Sequence, residues 1–193
     1  MSNKIKYGLS HVYYAKGSEG ANHTLTYDTP VAIEGAINLS VDAQGDNITF
    51  YADNVSYWVG NGNNGYSGTL EIARVPESFK KDILGLIEDN TGLLVESMDA
   101  PIVHFALTFQ FEGDENATRH VLYNCTVSRP QIAGATKNES IEPQTETLNI
   151  EAKSIYFASL DAEIVKAECP YSSSSYTTWN TAIVTPVAKS TST

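Results

Sequence analysis

Three glycines in the stretch WVGNGNNGYSGTLEIARV, residues 58–75, have the spacing of a nucleotide-binding loop. Gly60, Gly62 and Gly65 form G-x-G-x-x-G, a pattern in which the backbone holds a dinucleotide pyrophosphate at the start of a helix. That chemistry requires a helix immediately after the glycines. Here the glycines are followed by TLEIA, in which apolar and polar residues alternate as they do in a strand. The pattern therefore argues against a nucleotide site.

A phosphate loop of the G-x-x-x-x-G-K-[ST] kind is excluded as well. No lysine lies between Lys16 and Lys80, so the side chain that would contact the phosphates is missing. Runs of glycine and asparagine are typical of tight turns that need positive φ values. We interpret GNGNNGYSG, residues 60–68, as a hairpin tip or a connection between strands that pair with each other.

The other residue types that support catalysis or metal binding show no recognisable spacing. The four histidines form no H-x-x-x-H or H-E-x-x-H pair. His104 and His120 would lie near each other across a predicted hairpin, where surface residues are a better interpretation than ligands. The turn DAQGDN lacks the closing glutamate of a calcium loop, and no G-x-S-x-G motif occurs. We predict no catalytic residue, no cofactor and no metal, and we do not expect an enzyme.

Cysteine usage and hydropathy bear on the compartment. Cys125 and Cys169 are far apart and form no C-x-x-C, which favours two free thiols over a disulfide or a metal site. The opening residues MSNKIKYGLS lack the apolar stretch of a secretory signal. No apolar run approaches the ~18 residues of a membrane span, so we expect no membrane anchor.

The composition is that of an acidic globular chain. Its 193 residues carry a formal net charge of −11, with 41% hydrophobic and 18% charged residues. An acidic surface argues against non-specific nucleic-acid binding, which needs cations that displace counterions. The charge serves either solubility alone or a surface that must not retain a polyanion.

Apolar residues at every second position are the dominant pattern, and they predict strands. HFALTFQFE and RHVLYNCTVS, joined by GDENAT, predict an antiparallel hairpin. AINLSVDA and NITFYA, joined by QGD, predict a second hairpin with Ile48 and Phe50 facing inward. The segment TETLNIEAKSIYFA changes phase at Lys153–Ser154, which predicts a bulge.

Only one segment has the periodicity of a helix. In VPESFKKDILGLIEDNTG, Phe79, Ile83 and Leu86 recur every three to four residues, and Gly92 supplies a stop signal. The sequence thus predicts a mainly β (α+β) fold. We expect a β-sandwich or partial barrel of about eight or nine antiparallel strands, with one flanking helix at about 76–89.

Composition divides the chain near residue 168. Residues 1–168 form the predicted β-domain, with a flexible excursion at 17–23. Residues 169–193 are rich in Ser and Thr and poorly periodic. Such a segment is disordered, or is ordered only on contact with a partner.

Five blocks of the chain, in order, are similar to one protein family. They are FYADN (50–54), NNGYSGTLEIA (63–73), FKKDILG (79–85), ATRHVLYNCTVSRP (117–130) and EPQTETL (142–148). These blocks resemble the major tail protein, or tail tube protein, of long-tailed phages and prophages of Gram-positive bacteria, in the phi13-type family. The resemblance runs from about Lys4 to Ala158 and is lost beyond Cys169.

The resemblance implies a structural role in a virion. Subunits of this family close into hexameric rings that stack as the tail tube around the tape-measure protein, and DNA passes through the lumen without specific binding. The implied fold is that of tail tubes and of the type VI secretion tube. Implied partners are further copies of the chain and the tape-measure, tail-tip or baseplate and tail-terminator proteins. The implied locations are the virion and, during assembly, the host cytoplasm.

On this resemblance, the glycine-rich stretch becomes a candidate contact between subunits. The residues predicted for it are Gly60, Gly62, Asn63, Asn64, Gly65, Tyr66 and Gly68. The extension 169–193 becomes a candidate inter-subunit arm. The alternative function is a monomeric β-sandwich that binds carbohydrate or a receptor, with Trp58 and Trp179 stacking on sugars. A cofactor-free hydrolase on a β-scaffold has less support.

Overall fold

The computed structural model describes residues 5–114, 116–136 and 143–189. Within those ranges lie fifteen strands and one helix, α1, at Glu77–Asp82. The strands are β1 (Leu9–Glu19), β2 (Leu25–Tyr27), β3 (Val31–Ala32), β4 (Ala36–Ala43), β5 (Asn47–Ala52), β6 (Val55–Asn61), β7 (Tyr66–Ile72), β8 (Ile87–Glu88), β9 (Leu94–Val95), β10 (Phe105–Phe111), β11 (Arg119–Val127), β12 (Glu146–Lys153), β13 (Ile155–Phe157), β14 (Ala162–Ile164) and β15 (Lys166–Cys169).

Nine strands form one antiparallel sheet, which confirms the predicted fold class. Their order is β2-β1-β10-β11-β12-β7-β4, with β3 paired to β1 and β15 paired to β11. The period of two is clearest in β12, where Leu148, Ile150 and Ala152 are buried and the residues between them are exposed. The sheet does not close into a barrel, because β2 and β4 are its end strands.

Both faces of the central strands are covered. On one face, Phe79 of α1 packs edge-to-face against Tyr14 and Phe105, with ring centroids 5.0 and 5.6 Å away. This helix therefore covers one end of the larger apolar core. On the other face lies a second cluster, made of Ala106, Val121, Tyr123, Ile155, Cys169 and Trp179. Strand β10 contributes alternate residues to the two clusters, so it is buried on both sides.

The helix is shorter than predicted. It covers Glu77–Asp82 rather than about 76–89. Gly85 has a φ of +71°, and the Leu86 amide donates to the Lys80 carbonyl at 3.0 Å, so the chain turns away after one and a half turns. The predicted helical residue Ile87 instead begins the short strand β8.

The predicted partner of β4 is wrong. AINLSVDA, which is β4, pairs with β7 along its whole length, and NITFYA, which is β5, pairs with β6. By contrast, the predicted β10–β11 hairpin is confirmed, with Phe109 opposite His120. The two hairpins differ because the QGD segment does not reverse the chain within the sheet. It leads the chain out of the sheet instead.

Two smaller expectations are also corrected. Gly17–Glu19 is part of β1 and pairs with β2, so the turn of the predicted 17–23 excursion begins only at Gly20. The phase change at Lys153–Ser154 is the end of β12 and the start of β13, not a bulge. At that point the chain leaves the main sheet, because β13 pairs with β14 and with no other described strand.

Both cysteines are free and buried, as the sequence predicts. Burial raises the pKa of the Cys125 thiol, so little of the reactive thiolate forms at pH 8. We expect Cys125 in the folded chain to react with a thiol reagent at least ~100-fold more slowly than in guanidinium, because reaction requires local opening. A Cys169→Ala variant assigns the signal to Cys125. Rapid, complete labelling of the folded variant would contradict the burial of Cys125.

Candidate assembly surfaces

The β5–β6 hairpin projects from one end of the main sheet as a separate ribbon. Ala43 at the end of β4 pairs with Tyr66 at the start of β7, and the ribbon is the chain between them. Its strands pair with each other and with no other described strand. The tip residues Asp53 and Asn54 have φ values of +51° and +61°, as a two-residue type I′ turn requires.

The ribbon exposes apolar side chains on both of its faces. Phe50 pairs with Trp58, and Ile48 pairs with Gly60, which places the three side chains on one face. A β-carbon on Gly60 would overlap the indole ring of Trp58, so this glycine lets the ring lie flat on the ribbon. Seven large apolar residues of the ribbon are exposed: Ile48, Phe50, Tyr51, Val55, Tyr57, Trp58 and Val59.

Such a ribbon is unusual for an isolated molecule. A two-stranded hairpin is marginally stable on its own, and a contiguous exposed apolar patch marks a contact with another molecule. Both long edges of the ribbon also present backbone groups that are free to pair with another chain. The ribbon is therefore a candidate assembly surface. Sequence reasoning missed it because apolar alternation looks the same whether the strand is covered by its own chain or by another.

The glycine-rich stretch forms the base of this ribbon. The Gln44 amide donates to the Gly65 carbonyl at 2.9 Å, and the Asn64 amide donates to the Gln44 carbonyl at 2.7 Å. The Gly62 amide donates to Asp46 at 3.1 Å. The stretch is thus a connection from β6 to β7, and the alternative of a hairpin tip is wrong.

The seven residues predicted for a subunit contact occupy three different places. Gly60 lies within the ribbon, Gly62 to Gly65 form its base, and Tyr66 and Gly68 belong to β7 inside the sheet. Gly65 is buried. Of these three places, only that of Gly60 lies among the exposed apolar side chains of the ribbon. Contact between subunits at these residues stays a prediction.

A second exposed apolar surface lies at the opposite end of the sheet. Strand β7 ends at Ile72, beside the first residue of β12, and leads into α1, β8 and β9. Arg129, just after β11, pairs with Glu96 at 2.6 Å and donates to the Ser97 carbonyl at 2.9 Å, which ties its loop to the same end. We call this the far-end surface and define it by six exposed residues: Ile87, Leu93, Val95, Met98, Ile102 and Ile132.

The two histidines of the predicted hairpin do not lie together. His120 is opposite Phe109, five residues from His104, which separates them by roughly 16 Å along the strand. His104 Nδ1 lies 2.6 Å from Asn124 Oδ1, and its Nε2 lies 3.4 Å from a Glu19 carboxylate oxygen. His120 stacks on Phe109, and burial lowers its pKa. The proximity expected across the hairpin is wrong.

The part of the chain that the structure describes offers neither a clustered metal site nor a membrane-spanning helix. No group of three or more His, Cys, Asp or Glu side chains there has the geometry to hold a metal ion. No helix there is long and apolar enough to cross a membrane.

A protein-family model described as "Phage tail tube protein" matches residues 1–158. The chain belongs to the phage tail tube protein family. Among solved structures, a similar chain occurs in the cryo-EM structure of the anti-feeding prophage (AFP) baseplate, 6-fold symmetrised. It is 12% identical, with a TM-score of 0.46 over 88% of this chain and 97% of that chain. No curated protein matches the sequence.

The C-terminal part of this tail tube protein lies beyond the family match, and residues 159–189 pack on their own subunit. Strand β15 pairs with β11, and Trp179, 3% exposed, completes the second apolar cluster. Arg119 donates to the Tyr176 carbonyl at 2.7 Å, and Tyr123 donates to the Val184 carbonyl at 2.8 Å. The described residues of the extension are therefore ordered by their own domain, whereas residues 190–193 lie outside the described ranges.

Proposed function

We propose that this tail protein assembles into hexameric rings that stack as the tail tube, the channel through which DNA is delivered to the host. The family match establishes a structural protein of the virion tail. The observation that supports assembly into a tube is the β5–β6 ribbon. Its exposed aromatic faces and free edges are suited to contact with further copies of the chain.

The proposed channel is a passive one. A net charge of −11 repels DNA, so a lumen lined by this chain would pass the polyanion without binding it. We propose a non-enzymatic role without a cofactor.

The proposed partners are the components that would start the tube, set its length and end it, as the resemblance to tail tube proteins implies. They are further copies of the chain, the tape-measure protein, and the tail-tip or baseplate and tail-terminator proteins. Assembly is proposed to occur in the host cytoplasm before the subunit becomes part of the virion.

The experiment that tests this proposal is electron microscopy of concentrated protein. We expect regular tubes of stacked rings with six subunits each. A ring of another subunit number would overturn the hexamer, and a persistent monomer that binds glycans would favour the carbohydrate-binding alternative. For that alternative only Trp58 remains available, because Trp179 is buried.

Replacing Phe50 and Trp58 together by aspartate is expected to abolish tubes without unfolding the subunit. Both side chains are more than half exposed, and exposed substitutions change the free energy of unfolding by only about 0.5 kcal/mol each. In an interface, however, two buried aromatic anchors contribute several kcal/mol, so assembly should need at least ~100-fold more protein. Tube yield by sedimentation and melting temperature by circular dichroism measure the two effects.

The matched control is Tyr7→Asp with Leu160→Asp. These side chains are also exposed but lie outside the ribbon and outside the predicted C-terminal arm. We expect this variant to form tubes like the unmodified chain. Normal tubes from the Phe50 and Trp58 variant would show that the ribbon is not an assembly surface.

A further inference from the structure

We propose that a small polar cavity at the end of β1 binds the arginine side chain of a partner polypeptide. The cavity has a volume of about 170 Å³ and lies between the end of β1, the turn that leads into β2, and the start of β10. Glu19, His23 and His104 contribute polar groups to it, and Leu25 and Ile155 contribute apolar ones. The site goes beyond the proposed function, because it does not require that copies of the chain form a tube.

A β-bulge shapes the buried side of this cavity. The register of β10 against β11 shifts between Phe105 and Leu107, so that one residue of β10 faces two residues of β11. Asn124 is one of those two residues and is only 6% exposed. Bulges often turn a side chain toward a functional site. Here the bulge brings the Asn124 amide against the His104 ring, with Asn124 Oδ1 2.6 Å from His104 Nδ1.

The hydrogen bonds of Asn124 determine which nitrogen of His104 carries the proton. Asn124 Nδ2 donates to the Ser154 carbonyl at 3.0 Å, so the amide oxygen must face His104. An amide oxygen only accepts hydrogen bonds, and therefore His104 Nδ1 is the donor. In the neutral imidazole the other nitrogen, Nε2, then carries the lone pair and is an acceptor.

This arrangement leaves two acceptors side by side. His104 Nε2 and a Glu19 carboxylate oxygen lie 3.4 Å apart. When the imidazole is neutral, neither atom can donate to the other, and a positive group that contacts both makes the pair favourable. In acid, a second proton on the imidazole supplies that charge. No described lysine or arginine lines the cavity, so at higher pH a cation from another molecule would complete the pair.

The spacing of the two acceptors favours a guanidinium group over an ammonium group. At a hydrogen-bond length of about 2.9 Å, two tetrahedral N–H bonds of an ammonium group would separate their acceptors by roughly 4.7 Å. The parallel N–H bonds of a guanidinium group reach acceptors that lie closer together, as in its two-point contact with a carboxylate. The aliphatic part of an arginine side chain would pack on Leu25 and Ile155. An arginine thus matches both the polar and the apolar parts of the cavity.

The test is a titration of the folded subunit with Nα-acetyl-arginine amide, followed by NMR spectra of the imidazole nitrogens. It uses the Phe50→Asp, Trp58→Asp background, so that the subunit stays small whether or not the unmodified chain forms tubes. At pH 8 we expect a saturable shift of the His104 Nε2 signal. The dissociation constant should be about 1–10 mM, as two charge-assisted hydrogen bonds would give. Equal affinity for Nα-acetyl-lysine amide would overturn the assignment to a guanidinium group.

Two substitutions distinguish this site from general attraction to an acidic protein. Glu19→Gln removes a carboxylate whose side chain is 76% exposed, and it should weaken arginine binding at least ~10-fold while the fold is kept. Glu34→Gln removes the same charge at an exposed position outside the cavity and should leave binding unchanged. Equal binding by the two variants would overturn the site, and so would the absence of a saturable shift.

Acid should compete with the arginine probe, because a proton on His104 Nε2 then takes the place of the guanidinium group. The titratable groups that face His104 across the cavity are Glu19 and His23. We expect binding at pH 5 to be at least ~10-fold weaker than at pH 8. His23 has a φ of +59°, which asparagine tolerates, so His23→Asn removes the second imidazole with little strain. Equal binding at the two pH values, or a pH dependence that disappears in His23→Asn, would overturn the role assigned to His104.

Discussion

Valine at position 65 is expected to leave the chain largely unfolded. Gly65 is buried with a φ of +91°, where the base of the ribbon meets β12. A β-carbon there would overlap the Ala152 carbonyl oxygen and lie 3.3 Å from Lys153 Cα. These atoms belong to the backbone of β12, which β7 and β11 hold in place, so they cannot move aside as a flexible side chain would. The left-handed conformation alone costs about 1–2 kcal/mol, and the overlap adds to it, against a total stability of about 5–15 kcal/mol.

Substitutions at two other glycines separate the two causes of this destabilisation, backbone strain and steric overlap. Gly92 has a φ of +84° with no atom near its would-be β-carbon, so Gly92→Val measures backbone strain alone, about 1–3 kcal/mol. Gly134 has open space and no positive φ, so Gly134→Val should be nearly neutral. Soluble yield and urea unfolding of the three variants give the comparison. If Gly65→Val were no less stable than Gly92→Val, the close approach of Gly65 to β12 would be wrong.

The strands that the sequence predicts well are those that depend on local pattern. In β10 and β11 the apolar residues alternate and a short polar loop joins them, so the hairpin follows from neighbouring residues alone. The partner of β4 does not follow in this way. It is β7, whose Gly68 has room for no β-carbon because the Ser40 carbonyl lies against it. That close approach joins two strands that are separated in sequence by the whole β5–β6 ribbon, and no local pattern contains it.

The assembly surfaces were hidden from sequence reasoning for a related reason. Ile48 and Phe50 were expected to face inward, because their alternation is that of a half-buried strand. Both are exposed. A strand that is covered only by another molecule has the same apolar period as one covered by its own core. The sequence does carry one signal for this hairpin, the pair Asp53–Asn54, which favours a tight two-residue turn and so the pairing of β5 with β6.

The second large effect is expected for Trp179→Ala, which should lower the free energy of unfolding by about 3–5 kcal/mol. Trp179 fills the second apolar cluster, around Tyr123 and Ile155. For a chain of this size the loss corresponds to a fall in melting temperature of roughly 6–20 °C. Trp179→Phe should cost less, because the indole Nε1 has no hydrogen-bond partner among the described residues and its removal leaves no new group unpaired.

The melting of Trp179→Ala also distinguishes two roles of the C-terminal extension. If residues 169–193 act as an arm that leaves its own subunit, the predicted role, the substitution would weaken assembly and leave the melting of a monomer unchanged. If the packing on β10 and β11 persists, the monomer itself is destabilised. The measurement is therefore made in the Phe50→Asp, Trp58→Asp background, which is expected not to elongate, with Val187→Ala as an exposed control. In that background Trp179 is the remaining tryptophan, so its fluorescence reports on the C-terminal segment directly. Blue-shifted emission that moves to longer wavelength only when the whole domain unfolds would show that the segment is part of the folded domain.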